Sequence, residues 1–228
     1  MARRPPTAPR SRAVAKARPA AASSPAAPPA LIQFGPWQQE AFENRTNRVE
    51  IWFWGRQVRK SSTGAAWAVD RLLTQVPKYG DWLVTVLSNS KDNGAEFNLK
   101  VGGVCAKLGQ AYETEDLSPD GLFEHMVHET RIKLGKHVGR IKVLAANPRT
   151  ARGFSGDLIL DEFAFHENSQ AIWEAAEPIL SANPEFLCRI MSTGNGRHNM
   201  FYRLVTSGTI PVRNVRRSDA WRMGLPVY

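Results

Sequence analysis

Cysteine is almost absent from this chain: 228 residues hold two, Cys105 and Cys188. They lie far apart, each among apolar neighbours, which predicts reduced, buried thiols and an intracellular setting. No run reaches 18 consecutive apolar residues, so a membrane span is not expected. Acidic residues are missing from residues 1–30, where Arg3, Arg4, Arg10, Arg12, Lys16 and Arg18 supply +6 of the net charge of +9. That stretch also holds seven of the fifteen prolines and eleven alanines. It cannot bury a core and is expected to be disordered, either as a solvated basic arm or as an arm that releases counterions from nucleic-acid phosphates. A transit peptide shares this composition, but the scattered prolines break the amphipathic helix it needs.

The remaining 198 residues have a globular composition and read as strands alternating with helices. A short helix runs through Phe42. Residues 49–54 are a strand, and Ser62–Val76 is a helix that ends at Pro77. Trp82–Leu87 is a continuous apolar run, as in a strand buried on both faces. Ser90 or Asp92 caps a helix through about Ala111. Thr130–Leu134 and Arg140–Ala145 form two short strands, suited to a hairpin. Strand 158–161, helix 168–182, strand Phe186–Met191 and a helix from about Arg197 to Val205 follow. The alternation predicts an α/β fold, three layers around a mainly parallel central sheet. Trp52, Phe53, Trp54 and Trp67 could stack bases, but on a buried strand and an early helix they read as core packing.

Two strand ends carry the chemistry. Residues 49–62 run V-E-I-W-F-W-G-R-Q-V-R-K-S-S, an apolar strand turning into a lysine and hydroxyls at a helix start. About a hundred residues later, D-L-I-L-D-E ends a second strand on Asp161 and Glu162. In P-loop nucleotidases such a lysine meets the β- and γ-phosphates, the next hydroxyl ligates Mg²⁺, and a carboxylate on a second strand holds that ion. Glu162 is then placed to orient and deprotonate water. The glycine usual before the lysine is missing, and Arg59 stands there. A side chain held in a left-handed turn costs about 1–2 kcal/mol, so either the loop geometry shifts or binding weakens. A third strand ends in Ser192-Thr193-Gly194-Asn195-Gly196, small polar groups suited to contact a γ-phosphate. Glu124-His125-Met126-Val127-His128-Glu129 places two histidines three apart, but without a third ligand set this reads as surface polarity.

The runs W-G-R-Q-V-R-K-S-S, A-R-G-F-S-G-D-L-I-L-D-E-F-A-F-H-E and I-M-S-T-G-N-G-R-H-N-M-F-Y-R-L resemble the ATPase domain of phage large terminase subunits, in the branch of Mu-like phages and prophages. The resemblance covers roughly residues 34–228. It implies ATP and Mg²⁺ as cofactors, with Gln38, preceded by Trp37 in the cofactor site, as the adenine-reading glutamine. Gly55, Arg56, Gln57, Val58, Arg59, Lys60, Ser61 and Ser62 would be the variant phosphate loop, Arg56 acting on the phosphates and Ser61 with Asp161 on the metal. It further implies Glu162 as the base, Arg152 as a finger reaching a neighbouring subunit, and Thr193, Gly194 and Asn195 as coupling residues. Expected partners are double-stranded DNA, a portal ring, a small terminase subunit and identical copies in a ring, in the host cytoplasm and without a membrane.

Residues 1–30 would then be the tail, 31–217 the ATPase domain, and 218–228 the start of a linker to a nuclease domain. After Gly196 one acid, Asp219, faces six arginines, too few carboxylates for two-metal DNA cleavage, so no nuclease activity is expected from this chain. Two other readings share these residues: a catalytically silent DNA-binding or assembly fragment of a decayed prophage terminase, and a helicase-like ATPase.

Overall fold

The structure, a computed structural model, describes residues 32–116, 127–146 and 155–226. The basic tail, Arg152 and residues 124–126 lie outside the described residues. Helix α1 (Pro36–Glu43) leads into strand β1 (Val49–Trp54), helix α2 (Lys60–Tyr79), β2 (Trp82–Ser88) and α3 (Lys91–Lys107). Strands β3 (Glu113–Asp116), β4 (Val127–Leu134), β5 (His137–Ala145) and β6 (Asp157–Asp161) come next. A 3₁₀ turn (Phe163–Phe165), α4 (Ser169–Ser181), β7 (Cys188–Ser192), α5 (Met200–Ser207), β8 (Val212–Val215) and α6 (Arg217–Arg222) complete the order.

Among the described residues one sheet of eight strands runs β3-β4-β5-β2-β6-β7-β1-β8. It is parallel from β5 to β8, and β3 and β4 join antiparallel. β2, β6 and β7 are buried along their whole length, as expected of central parallel strands covered on both faces. Register decides which face each side chain joins. Trp52 pairs with Met191, Asp161 with Met191, and Ser88 with Asp161. These four share the face under α2 and α3, where Gly64 of α2 lies against Met191 and Gly94 of α3 against Ser88. A Cβ on Gly64 would sit 2.7 Å from the Met191 methyl, so the helix approaches this closely because the residue is glycine. Phe53 points the other way and meets Phe201 of α5 edge-on, 5.5 Å between centroids. The result is the expected three-layer arrangement, and Trp52, Trp54 and Trp67 are fully buried core residues. Both cysteines are free and buried, and burial pushes the Cys105 thiol up to about 11.

Several boundaries differ from the sequence reading. Helix α2 starts at Lys60 and continues past Pro77 to Tyr79, where Gly80 donates its N–H to the Val76 carbonyl. Helix α3 stops at Lys107, because Gly109 adopts φ +62 and its N–H bonds back to Ala106. The β4–β5 hairpin is longer than the apolar cores of its strands, and the short edge strands β3 and β8 carry no alternation to announce them. Residues expected to begin a linker enter α6, with Ala220 and Leu225 buried in the same core.

Two buried ionic clusters hold the sheet away from the strand C-termini. Arg71 of α2 makes a two-pronged contact with Asp157 (2.8 and 3.0 Å), which also accepts from the Trp82 indole (2.6 Å) and the Leu187 N–H (2.8 Å). Glu50 accepts from Trp52 Nε1 at 2.8 Å and from Arg213 at 3.1 Å, with Arg189 at 3.9 Å.

Candidate functional site

The C-terminal ends of β2, β6, β7 and β1 lie side by side, and the turn from β1 into α2 arches over them. Open α/β sheets bind ligands at this edge. A cleft of about 410 Å³ opens here, lined by Gly55, Arg56, Gln57, Arg59, Lys60, Ser61 and Ser62 from the turn. Asn89, Asn93, Glu96 and Lys100 line it from the α3 side, and Glu162, Phe165 and Thr193 complete the wall.

The loop keeps its left-handed turn with arginine in the glycine position: Arg59 has φ 63 and ψ 27. Gln57 (φ 61) and Glu162 (φ 51) share that region, and these are the non-glycine residues with positive φ among the described residues. All three border the cleft, so backbone strain is concentrated where the chemistry would occur. The loop is held from beneath. Trp37 Nε1 donates to the Val58 carbonyl at 3.1 Å, and Gln38 Nε2 donates to Thr63 Oγ1 at 2.7 Å. Thr63 in turn donates to the Arg59 carbonyl at 2.9 Å. Gln38 Oε1 accepts the Gly35 N–H, so both ends of this amide are engaged. Trp37 and Gln38 are 3% and 2% exposed, and neither lines the cleft. Gly55 donates its N–H to Val215 at 2.8 Å, tying the loop to β8.

Lys60, at the start of α2, places Nζ 2.8 Å from Glu162 Oε1 across the cleft floor. The other Glu162 oxygen and Asp161 Oδ1 are buried without a hydrogen-bond partner. Burial, reinforced by the neighbouring Glu162 charge, pushes the Asp161 carboxyl up to about 7 despite the Lys60 and Lys100 cations. His166 binds the Asp161 carbonyl through Nε2 at 2.9 Å, and burial lowers its pKa to about 4. It therefore stays neutral and pins the end of β6 to the following turn.

The third strand end grips that turn. Ser192 Oγ accepts the Ala164 N–H at 3.0 Å, and Asn195 Nδ2 donates to the Ala164 carbonyl at 3.1 Å. Thr193 faces the cleft, and a Cβ on Gly194 would sit 3.5 Å from the Phe53 ring. The structure thus brings the loop residues other than the buried Val58, together with Glu162 and Thr193, around one opening, whereas Gly194, Asn195 and the buried Asp161 do not line it. Among the described residues no three His, Cys, Asp or Glu side chains gather as a metal cluster. The α3 contribution was not anticipated. Its signal was present: Asn93, Glu96 and Lys100 follow one helical stripe beside the apolar stripe of Phe97, Val101 and Val104, and Asn89 lies just before the helix.

Comparison with known proteins gives the fold and the family. The chain is similar to the large terminase ATPase domain of Thermus phage P74-26, with 20% identity and a TM-score of 0.56 over 81% of this chain and 82% of that one. It is also similar to the large terminase of a thermophilic bacteriophage solved in complex with ADP, with 9% identity and a TM-score of 0.59 over 83% of this chain and 47% of that one. At these identities the likeness establishes the fold. Among curated proteins, Mu-like prophage FluMu protein gp28 of Haemophilus influenzae is 32% identical over 91 residues. That match spans 38% of this chain and 18% of the relative's length. Residues 52–209 match the family described as terminase large subunit, T4likevirus-type, N-terminal, and the chain belongs to that family.

Proposed function

We propose that this chain is an ATP-hydrolysing motor domain of a phage DNA-packaging terminase, driving double-stranded DNA into a procapsid. The observation that carries the reading is the Lys60–Glu162 contact at 2.8 Å, with the buried, unpartnered Asp161 oxygen beside it. A phosphate-binding cation, a base and a metal-binding carboxylate are the three groups that phosphoanhydride hydrolysis needs. The ADP and ATP-γ-S bound in two structures of the thermophilic bacteriophage terminase support an adenine nucleotide as ligand.

A divalent cation fits the residues present. Asp161 Oδ1 is a buried acceptor without a partner, and Ser61 lines the adjoining cleft. Oxygen donors of this kind suit a hard ion such as Mg²⁺. When bound, Mg²⁺ would neutralise charge on the β- and γ-phosphate oxygens. The protein's own steps follow from the geometry. Arriving phosphates compete with Glu162 for Lys60. Once Lys60 turns to them, Glu162 has a free carboxylate to accept a proton from water. Arg56 lies on the exposed lip and adds positive charge at the phosphates. Thr193 hydrogen-bonds the terminal phosphate, and Asn195 and Ser192 pass its loss to the turn they grip. Trp37 and Gln38 act on the nucleotide by fixing the loop. Arg152 would complete the site of a neighbouring copy in a ring, and the portal, small subunit and host cytoplasm follow from the family role.

Purified chain should hydrolyse ATP, faster with duplex DNA, and Lys60→Ala and Glu162→Gln should each reduce turnover at least a hundredfold. An unmodified chain that binds no nucleotide would favour the silent assembly fragment instead.

A further inference from the structure

The apolar strand β2 ends on a polar residue that nothing in its surroundings uses. Ser88 is fully buried, and its Oγ has no hydrogen-bond partner among the described residues. Its main-chain carbonyl is satisfied by the Ala146 N–H at 2.8 Å. The side chain is therefore the unexplained part. A hydroxyl buried without a partner is destabilising, and alanine would fill the same space under Gly94.

Its neighbour supplies the missing half. Ser88 and Asp161 are paired residues of adjacent parallel strands, so their side chains lie on the same face, under α2 and α3. Asp161 Oδ1 is the matching orphan, a buried acceptor without a donor. The strand on the other side of Asp161 offers no such donor on this face. Ser192 lies one residue beyond the Met191 that pairs with Asp161, faces the opposite layer, and already accepts from Ala164.

We propose that Ser88 is a positioning residue for Asp161. Its hydroxyl, unbonded as the structure stands, turns to donate to one oxygen of the ionised carboxylate and holds the other towards the cation. The inference rests on the reading of Asp161 as a cation ligand. Groups that orient a metal-binding carboxylate are worth roughly tenfold or more in metal affinity.

The test is Mn²⁺ affinity of the ADP-loaded chain, followed by electron paramagnetic resonance, beside the thermal midpoint in EDTA. Ser88→Ala should weaken Mn²⁺ binding roughly tenfold while the midpoint stays or rises, since removing an orphan hydroxyl relieves the core. Mn²⁺ affinity within about twofold of the unmodified chain, with Asp161→Ala clearly weaker, overturns the role of Ser88 and leaves Asp161 as ligand. A loss of affinity that accompanies a lowered midpoint also overturns it, because the hydroxyl is then only structural. If Asp161→Ala itself leaves Mn²⁺ affinity unchanged, the reading of Asp161 falls and the role of Ser88 with it.

Discussion

Lys60 and Glu162 are 102 residues apart in the chain and 2.8 Å apart in space. Each occupies the other, so a nucleotide must displace the glutamate to reach the lysine. Glu162→Gln should therefore raise ADP affinity several-fold while abolishing turnover, as calorimetry in Mg²⁺ would record. Unchanged ADP affinity would mean that the pair does not compete with phosphate. Arg59 tests the loop differently. Its left-handed backbone suits glycine, so Arg59→Gly should raise stability by about 1 kcal/mol and leave nucleotide affinity equal or better. Collapse of binding in that variant would make the arginine a phosphate ligand. Asp161 gives a pH signature. Its carboxyl is raised to about 7 from 3.8, so between those values the folded protein holds more protons than the unfolded chain. Its contribution to stability then falls as pH rises and is fully unfavourable above about 7. In EDTA, Asp161→Asn should melt higher than the unmodified chain at about pH 8, and the gain should shrink towards about pH 4. A gain independent of pH would show that the carboxylate is not strained by burial.

At the scale of elements, α2 bridges the two ends of the sheet. Its first residue is the cleft lysine, and Arg71, three turns on, closes the buried contact with Asp157 at the start of β6. The same strand thus begins on a structural carboxylate and ends on Asp161, the carboxylate proposed to hold the cation. Asp157→Ala would leave Arg71, the Trp82 indole and the Leu187 N–H without their acceptor. Removing one partner of such a pair costs about 3–5 kcal/mol. Urea unfolding should show a loss of that size, and a loss under about 1 kcal/mol would mean that water replaces the carboxylate. The helix limits show which local rules prevail. Pro77 removes the N–H that would bond to the Leu73 carbonyl without ending α2, which closes on the Gly80 N–H to Val76, whereas Gly109 ends α3 because its backbone turns left-handed.

At the scale of the molecule, charge is divided. The first thirty residues hold +6, and the remainder +3. If the tail serves DNA attraction, each phosphate it neutralises contributes about 0.9 to the slope of log affinity against log salt. Deleting residues 1–30 should flatten that slope and leave ATP affinity unchanged. An unaltered slope would make the tail a spacer. The cleft lies at one end of the sheet and the Glu50 and Asp157 clusters lie towards the other. Substitutions at the clusters should therefore act on stability, and those at the cleft on turnover.

The sequence by itself determined the α/β class, the buried strands Trp82–Leu87 and 158–161, and the strand-to-helix turn of residues 55–62, because these depend on local apolar runs and on contiguous motifs. It also carried the order of the three strand ends that meet at the cleft. Tertiary structure alone decided the rest. Gln38 and Trp37 precede the loop in the chain, but whether they face a ligand or brace the loop depends on how α1 packs against α2. The Asn93, Glu96 and Lys100 stripe was visible as a helical face, yet only the packing of α3 on β2 and β5 turns it to the cleft. Edge strands β3 and β8 form because neighbouring strands offer free hydrogen-bonding groups, not because their own residues demand it. Ser88 faces Asp161 through strand register, which fixes pairing between residues far apart in the chain and is invisible to any local pattern.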